Sequence, residues 1–288
     1  MAKQHYTFKV EEDSTLLEFL LKNLSSKSRN NIKNLMKSGF CDLDGQTVTK
    51  FDHPLKAGQT LTVSSENAVK NALPFDIIYE DDHIVVIDKP ASLLCIANEH
   101  EKEHTAYRYL YSYMKSKADR SKIFVIHRLD RDTSGIVMFA KDEKTKEAYQ
   151  SNWDKLVIRR GYTAVCEGTP DEESATLTSY LRESRDSRMY SADNPRHAKK
   201  AVTRYTVRKT NGKYSLLDIE IDTGRKNQIR VQLSEIRHPV AGDKKYGAES
   251  NPIKRLALHA NVLEINSPTG KRFSFKSKVP DSFRAACK

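Results

Sequence analysis

Short apolar runs bounded by polar residues constrain the fold of this 288-residue chain more than any other feature. The clearest are Ile84–Ile87, Ile123–Ile126, Ile136–Ala140, Tyr162–Val165, Val202–Val207, Leu216–Ile221 and Val262–Ile265, all of strand length. Two helical stretches, Glu143–Trp153 and Arg225–Glu235, fall among them. Strands and helices therefore do not alternate as a doubly wound parallel sheet requires. The pattern predicts an α+β fold built on a mixed, mostly antiparallel sheet.

A smaller unit precedes this domain. Thr15-Leu16-Leu17-Glu18 is a capping box, followed by Leu20, Leu21 and Leu24 at helical spacing. A second helix starts near Ser26 or Ser28, turns Ile32, Leu35 and Met36 inward, and stops at Gly39. Five basic residues and no acid lie between Lys22 and Lys37, and Arg29, Lys33 and Lys37 share one helix face. An Asp44-Gly45 hairpin and a strand at Leu61–Val63 complete the unit. The expected division is a module over residues 1–65, a linker over 66–74 and a larger domain over 75–288.

The 49 Lys and Arg against 38 Asp and Glu give a net charge of +11, which favours a polyanionic partner. Nine bases against three acids fall between Arg182 and Lys209, read as an exposed basic loop leading into a strand. No run approaches the ~18 apolar residues of a membrane span, and the N-terminus lacks a signal-peptide stretch. Cys41, Cys95, Cys166 and Cys287 lie far apart, so reduced thiols and a cytoplasmic location are expected.

Between two of the apolar runs stands His127-Arg128-Leu129-Asp130-Arg131-Asp132-Thr133-Ser134-Gly135. A connection between buried strands rarely carries an imidazole, guanidinium groups and carboxylates together, and this density reads as a site. Asp130-x-Asp132 also has the spacing of a magnesium pair. Magnesium favours sites with few competing cations, and Arg128 and Arg131 flank these acids, so no metal is expected.

This nonapeptide resembles the signature loop of the RluA-type pseudouridine synthases, in which the Asp of Arg-Leu-Asp is catalytic. Further segments from Pro74 onward match the same family. Lys89-Pro90-Ala91-Ser92 carries Ser92 for the usual Gly, and Cys95-Ile96-Ala97 stands where His-Pro is usual. Arg159-Arg160-Gly161-Tyr162 places Tyr162 as the active-site tyrosine. Thr223-Gly224-Arg225-Lys226-Asn227-Gln228-Ile229-Arg230 keeps the final Arg but has Asn227 for His. His238…Gly242-Asp243, Arg255…His259-Ala260 and Pro268-Thr269-Gly270 also fit. The N-terminal unit is similar to the alpha-L RNA-binding motif.

The resemblance implies a pseudouridine synthase fold and isomerisation of uridine in RNA, without cofactor. Asp130 would act on the ribose, by attack at the anomeric carbon or by removal of the adjacent proton, with Arg230 beside it favouring the charged carboxylate. Tyr162 would stack on the uracil, and Arg128 would fill the gap left by an extruded nucleotide. His127, Arg131, Lys89 and Arg225 join the expected RNA contacts, with Arg29, Lys33 and Lys37 on the N-terminal helix. Ribosomal RNA of the large subunit is the favoured partner and transfer RNA the second; neither a membrane nor an obligate protein partner is expected. A non-catalytic RNA-binding or ribosome-assembly protein on the same scaffold, and a hydrolase of the N-glycosidic bond, are the competing readings.

Overall fold

The computed structural model describes residues 5–25, 27–37, 39–64, 73–116, 122–192 and 196–288. The chain forms two compact units, one of residues 1–73 with 112–120, the other of residues 74–111 with 121–288. Most of the expected linker, residues 66–72, lies outside the described residues.

The first unit contains β1 (His5–Lys9), β2 (Ser14–Thr15), α1 (Leu16–Asn23), α2 (Arg29–Lys37), β3 (Cys41–Leu43), β4 (Gln46–Thr47), β5 (Pro54–Leu55) and β6 (Thr60–Ser64). The Thr15 hydroxyl accepts the Glu18 amide at 3.4 Å and donates to the Glu18 carboxylate at 2.8 Å, which starts α1 where the capping box predicts. Asp44 and Gly45 take φ of 50° and 87°, the left-handed pair that a tight β3–β4 hairpin needs. The strand order is β1-β6-β3-β4. Leu16, Leu20, Ile32, Met36, Cys41 and Leu61 form a closed apolar core. Arg29 and Lys33 remain exposed on α2, and the Lys37 side chain lies outside the described atoms.

The second unit begins with β7 (Asp76–Glu80) and β8 (Ile84–Lys89). After α3 (Ala106–Ser116), whose residues 112–116 count with the first unit, come β9 (Phe124–Val125), β10 (Ser134–Ala140), α4 (Glu143–Ser151), α5 (Trp153–Leu156) and β11 (Val157–Glu167). There follow β12 (Ser174–Glu183), β13 (Met189–Ser191), β14 (Lys199–Thr210), β15 (Tyr214–Ile221) and α6 (Gln228–Glu235). The last elements are β16 (Leu258–Asn266), β17 (Arg272–Lys276) and α7 (Asp281–Ala286). Strands β13-β12-β14-β15-β11-β16-β10-β8-β7 form one sheet, with β17 on β16 and β9 on β10. Its pairings are antiparallel except β10 with β16, so the expected mixed and mostly antiparallel sheet is present.

Three expectations are corrected. The exposed loop expected to lead into the Val202–Val207 strand is interrupted among the described residues: β13 pairs with β12, β14 begins already at Lys199, and Leu181, Met189 and Ala201 supply a buried face. The predicted helix Glu143–Trp153 breaks at Asn152, whose amide side chain bonds the Ala148 carbonyl and ends α4. The predicted helix Arg225–Glu235 starts only at Gln228, because Asn227 takes φ of 53° and cannot continue a helix backward.

Candidate active site

The central strand β10 fixes the exit of the loop His127–Gly135. Ser134 and Gly135 pair with His259 and Ala260 of β16 on one side, and Gly135 pairs with Lys89 of β8 on the other. A Cβ on Gly135, at φ 116°, would stand 2.1 Å from the Ala260 carbonyl oxygen, so glycine alone permits this approach.

Three further ties hold the loop. The Met138 amide donates to His127 Nε2 at 3.1 Å, and the His127 ring lies 4.9 Å from that of Trp153. Burial, and secondarily the charge of Arg160, push the His127 imidazole down to about 3, so it is neutral at ordinary pH. Cys95 Sγ accepts the Leu129 amide and donates to the Leu129 carbonyl, each at 3.4 Å. The third tie is Lys89. Its ammonium is fully buried and donates to the carbonyls of Pro90, Leu93 and Arg131 at 2.9, 2.8 and 3.0 Å. Lys89 was expected to contact RNA; enclosed by main chain, it shapes the loop instead. Its burial lowers it to about 8, with Cys95, Asp132 and Asp130 opposing the fall.

Asp130 projects from this loop toward α6. Arg230 Nη1 lies 3.3 Å from Asp130 Oδ2, so the expected pair is present. Asp130 is not the main partner, however. Arg230 Nε and Nη2 grip both oxygens of Asp243 at 2.6 and 2.8 Å, and Nη1 also donates to Asn227 Oδ1 at 3.0 Å. Burial opposes the Arg230 charge, but Asp243 and then Asp130 outweigh it and hold the guanidinium above its ordinary range. Tyr246 closes the cluster: its hydroxyl accepts the Asn227 amide at 2.9 Å, and its ring lies 5.0 Å from the Arg230 guanidinium.

A cavity of about 730 Å³ opens over these groups. Asp130, Arg230 and Tyr162 line it, as do Arg128, Arg131, Arg225, His127, Trp153 and Arg160. Burial, and less strongly Asp130, push the Tyr162 phenol up to about 12, so it stays a neutral ring with a hydroxyl.

A model of the RNA pseudouridylate synthase family matches residues 83–235, spanning both the loop and the whole of α6. The chain belongs to this family. It is therefore an isomerase acting on RNA. It is 28% identical to an uncharacterized RNA pseudouridine synthase of Bacillus subtilis, YhcT, over 96% of this chain and 94% of that protein. It is 31% identical to ribosomal large subunit pseudouridine synthase D of Xanthomonas campestris, over 89% of this chain and 83% of that protein. The structure of human RNA pseudouridylate synthase domain containing 1 shares the fold, with a TM-score of 0.60 at 24% identity over 75% of this chain and 86% of that one.

Within the frame of this family, two departures acquire structural roles. Ser92 takes the left-handed φ of 66° that the usual glycine would adopt freely. Asn227 orients Arg230 between Tyr246 and Asp243. Arg131 is exposed and paired with Asp132 at 3.1 Å, and Arg225 Nε donates to the Lys200 carbonyl at 3.0 Å. Among the described residues no cluster of acids, histidines or cysteines has the arrangement of a metal site. No described helix is long and apolar enough to cross a membrane.

Sequence reasoning missed a polar chain behind the loop. Arg255 Nη2 donates to Ser134 Oγ at 2.6 Å, and Ser134 Oγ lies 2.8 Å from His259 Nδ1. His259 Nε2 is 3.0 Å from Ser277 Oγ, which donates to Asp88 at 2.5 Å. The Arg255 and Asp88 ends fix every donor between them, which assigns the proton of His259 to Nε2. Burial first, then Arg255, push His259 down to about 4. Its only sequence signal was the match of Arg255…His259 to the family.

Proposed function

We propose that the chain isomerises specific uridines of structured RNA to pseudouridine, with Asp130 as the catalytic carboxylate. The observation that carries this is Asp130 at 3.3 Å from a buried Arg230, in a cavity that Tyr162 also lines. The ribose C1′–N1 bond breaks, uracil turns, and C1′ joins C5. C5 gives up a proton and N1 gains one, so nucleotide mass is unchanged. Asp130 starts this either by attacking C1′ or by taking the proton from C2′; both routes need its charged form.

The nucleotide enters by extrusion. A volume of about 730 Å³ suits a whole nucleotide, and Arg128, exposed at the rim, has the planar group to replace it in the stack. Tyr162 presents a ring face for uracil. Arg29 and Lys33 on α2 add phosphate contacts from the N-terminal unit, in the manner of an alpha-L module. Large-subunit ribosomal RNA is the proposed target class, since the relatives include ribosomal large subunit pseudouridine synthases.

Mapping pseudouridines in ribosomal RNA from cells with and without the gene tests this reading. Loss of specific pseudouridines supports it. An RNA bound without any change is the outcome for a pure binding protein, and release of uracil that for a glycosidic hydrolase.

A further inference from the structure

Arg160 is a cation whose role neither the loop nor the Arg230 cluster accounts for. It lies on β11 two residues before Tyr162 and lines the same cavity. Its Nη2 donates to the Asp222 carbonyl at 2.5 Å, while Nε is buried and has no hydrogen-bond partner among the described residues. Of the nearby acids, Asp154 makes no ion pair with Arg160 among the described residues, and the other two are engaged elsewhere. Glu220 bonds Arg159 at 3.0 Å, and Arg204 holds the Asp222 carboxylate. Burial is the largest influence on Arg160 and lowers its basicity, which neighbouring acids do not restore.

The guanidinium is only part-buried, but its enclosed Nε is a donor without an acceptor, and such a donor calls for a reason. The adjoining glycine supplies a second observation. A Cβ on Gly224 would stand 2.8 Å from Arg160 Nη1, yet Gly224 is not among the glycines with positive φ. Its backbone would accept other residues, and the guanidinium occupies the space that a side chain there would take. The cavity's charge points to the ligand. Arg128, Arg160 and Arg225 line it without an ion pair among the described residues, and Asp130 is its sole carboxylate.

We propose that Arg160 binds a phosphate oxygen of the target nucleotide, giving the cavity an anion subsite separate from Asp130 and Arg230. The proposal rests on the reading that a uridine is extruded into this cavity. The charge and planar fork of arginine suit a phosphodiester, whereas a uracil carbonyl is neutral and needs no such excess of cations.

The test uses the full chain and the fluorescence of Trp153, the single tryptophan and part of the cavity lining. Uridine, uridine 3′-monophosphate and uridine 5′-monophosphate are titrated into wild type, Arg160→Gln and Arg160→Lys, each checked for an unchanged melting curve. In wild type one monophosphate binds about tenfold tighter than uridine. Arg160→Gln loses most of that advantage and keeps its uridine affinity within about twofold; Arg160→Lys retains part of it. An equal phosphate advantage in Arg160→Gln, or none in wild type, overturns the proposal. A purely structural role would weaken all three ligands together, and that result also overturns it. A phosphate advantage that depends on Arg160, in a protein that isomerises no uridine, would leave the subsite standing and remove the proposed activity.

Discussion

Asp243 holds Arg230 with both carboxylate oxygens, at 2.6 and 2.8 Å, and leaves Nη1 to reach Asp130 at 3.3 Å. One acid anchors the cation and the other uses it. The short, two-point contact fixes the guanidinium, and the longer one leaves Asp130 less tightly held.

Asp130→Asn should lower pseudouridine formation at least about a hundredfold, since the amide is a poor base and nucleophile. The fold and RNA affinity should remain. Single-turnover assays by mass spectrometry read the rate, and activity within tenfold of wild type would exclude Asp130 from the chemistry.

Arg230→Ala should damage stability as well as catalysis, because it leaves Asp243, 2% exposed, charged and unpaired. Breaking such a buried pair costs about 3–5 kcal/mol. Arg230→Lys keeps the charge without the fork and should fall between. Urea unfolding beside turnover separates the two effects; an Ala variant as stable as wild type would mean that Asp243 finds another partner.

Lys89 stands at about 8 in the fold against an ordinary 10.5, so the unfolded chain binds more protons between those values. The stability cost of its buried charge is therefore full below pH 8 and relieved as pH rises toward 10.5. The stability of wild type relative to Lys89→Met should grow over that window. Urea midpoints at pH 7, 8.5 and 10 give this difference; a flat one would show Lys89 unperturbed.

His127 and His259 act with the same sign as Lys89, but below the neutral range. Both are depressed, to about 3 and about 4, so the unfolded chain takes up their protons first as pH falls below 6.5. Stability they contribute above 6.5 is lost on acidification through their folded values. Unfolding should thus take up about one proton from these two rings at pH 6.5 and close to two at pH 5, and His259→Asn should remove about half of that uptake. An unaltered slope would show that His259 is accessible to protons in the fold.

Arg29→Gln with Lys33→Gln should flatten the dependence of log affinity on log salt, by about 0.7 per lost phosphate contact to single-stranded RNA. The melting temperature should barely change, since both side chains are exposed. A slope equal to that of wild type would show that α2 faces no RNA.

The strands were legible because burial on both faces of a central strand leaves an unbroken apolar run, as in β10, whose residues are all buried. β13 was not, since an edge strand of three residues with only Met189 buried leaves no periodic trace. The loop and Asp130 were legible as a motif. Asp243 was visible only inside the His238…Asp243 match, and its bond to Arg230 was not, because α6 brings that side chain to it from 13 residues away. Lys89 misled for a related reason. A lysine beside a proline looks solvent-bound, and its three carbonyl acceptors are set by tertiary structure, one of them 42 residues distant.

Those three carbonyl oxygens surround the Lys89 nitrogen much as a peptide loop surrounds an alkali-metal ion. The ion here is tethered by its own side chain and cannot exchange with the medium. Added salt should compete for the exposed arginines proposed to meet RNA, but it has no access to the charge that sets the curvature of the Asp130 loop. Ionic strength should consequently govern how often RNA is captured and leave the rate of the committed complex almost untouched.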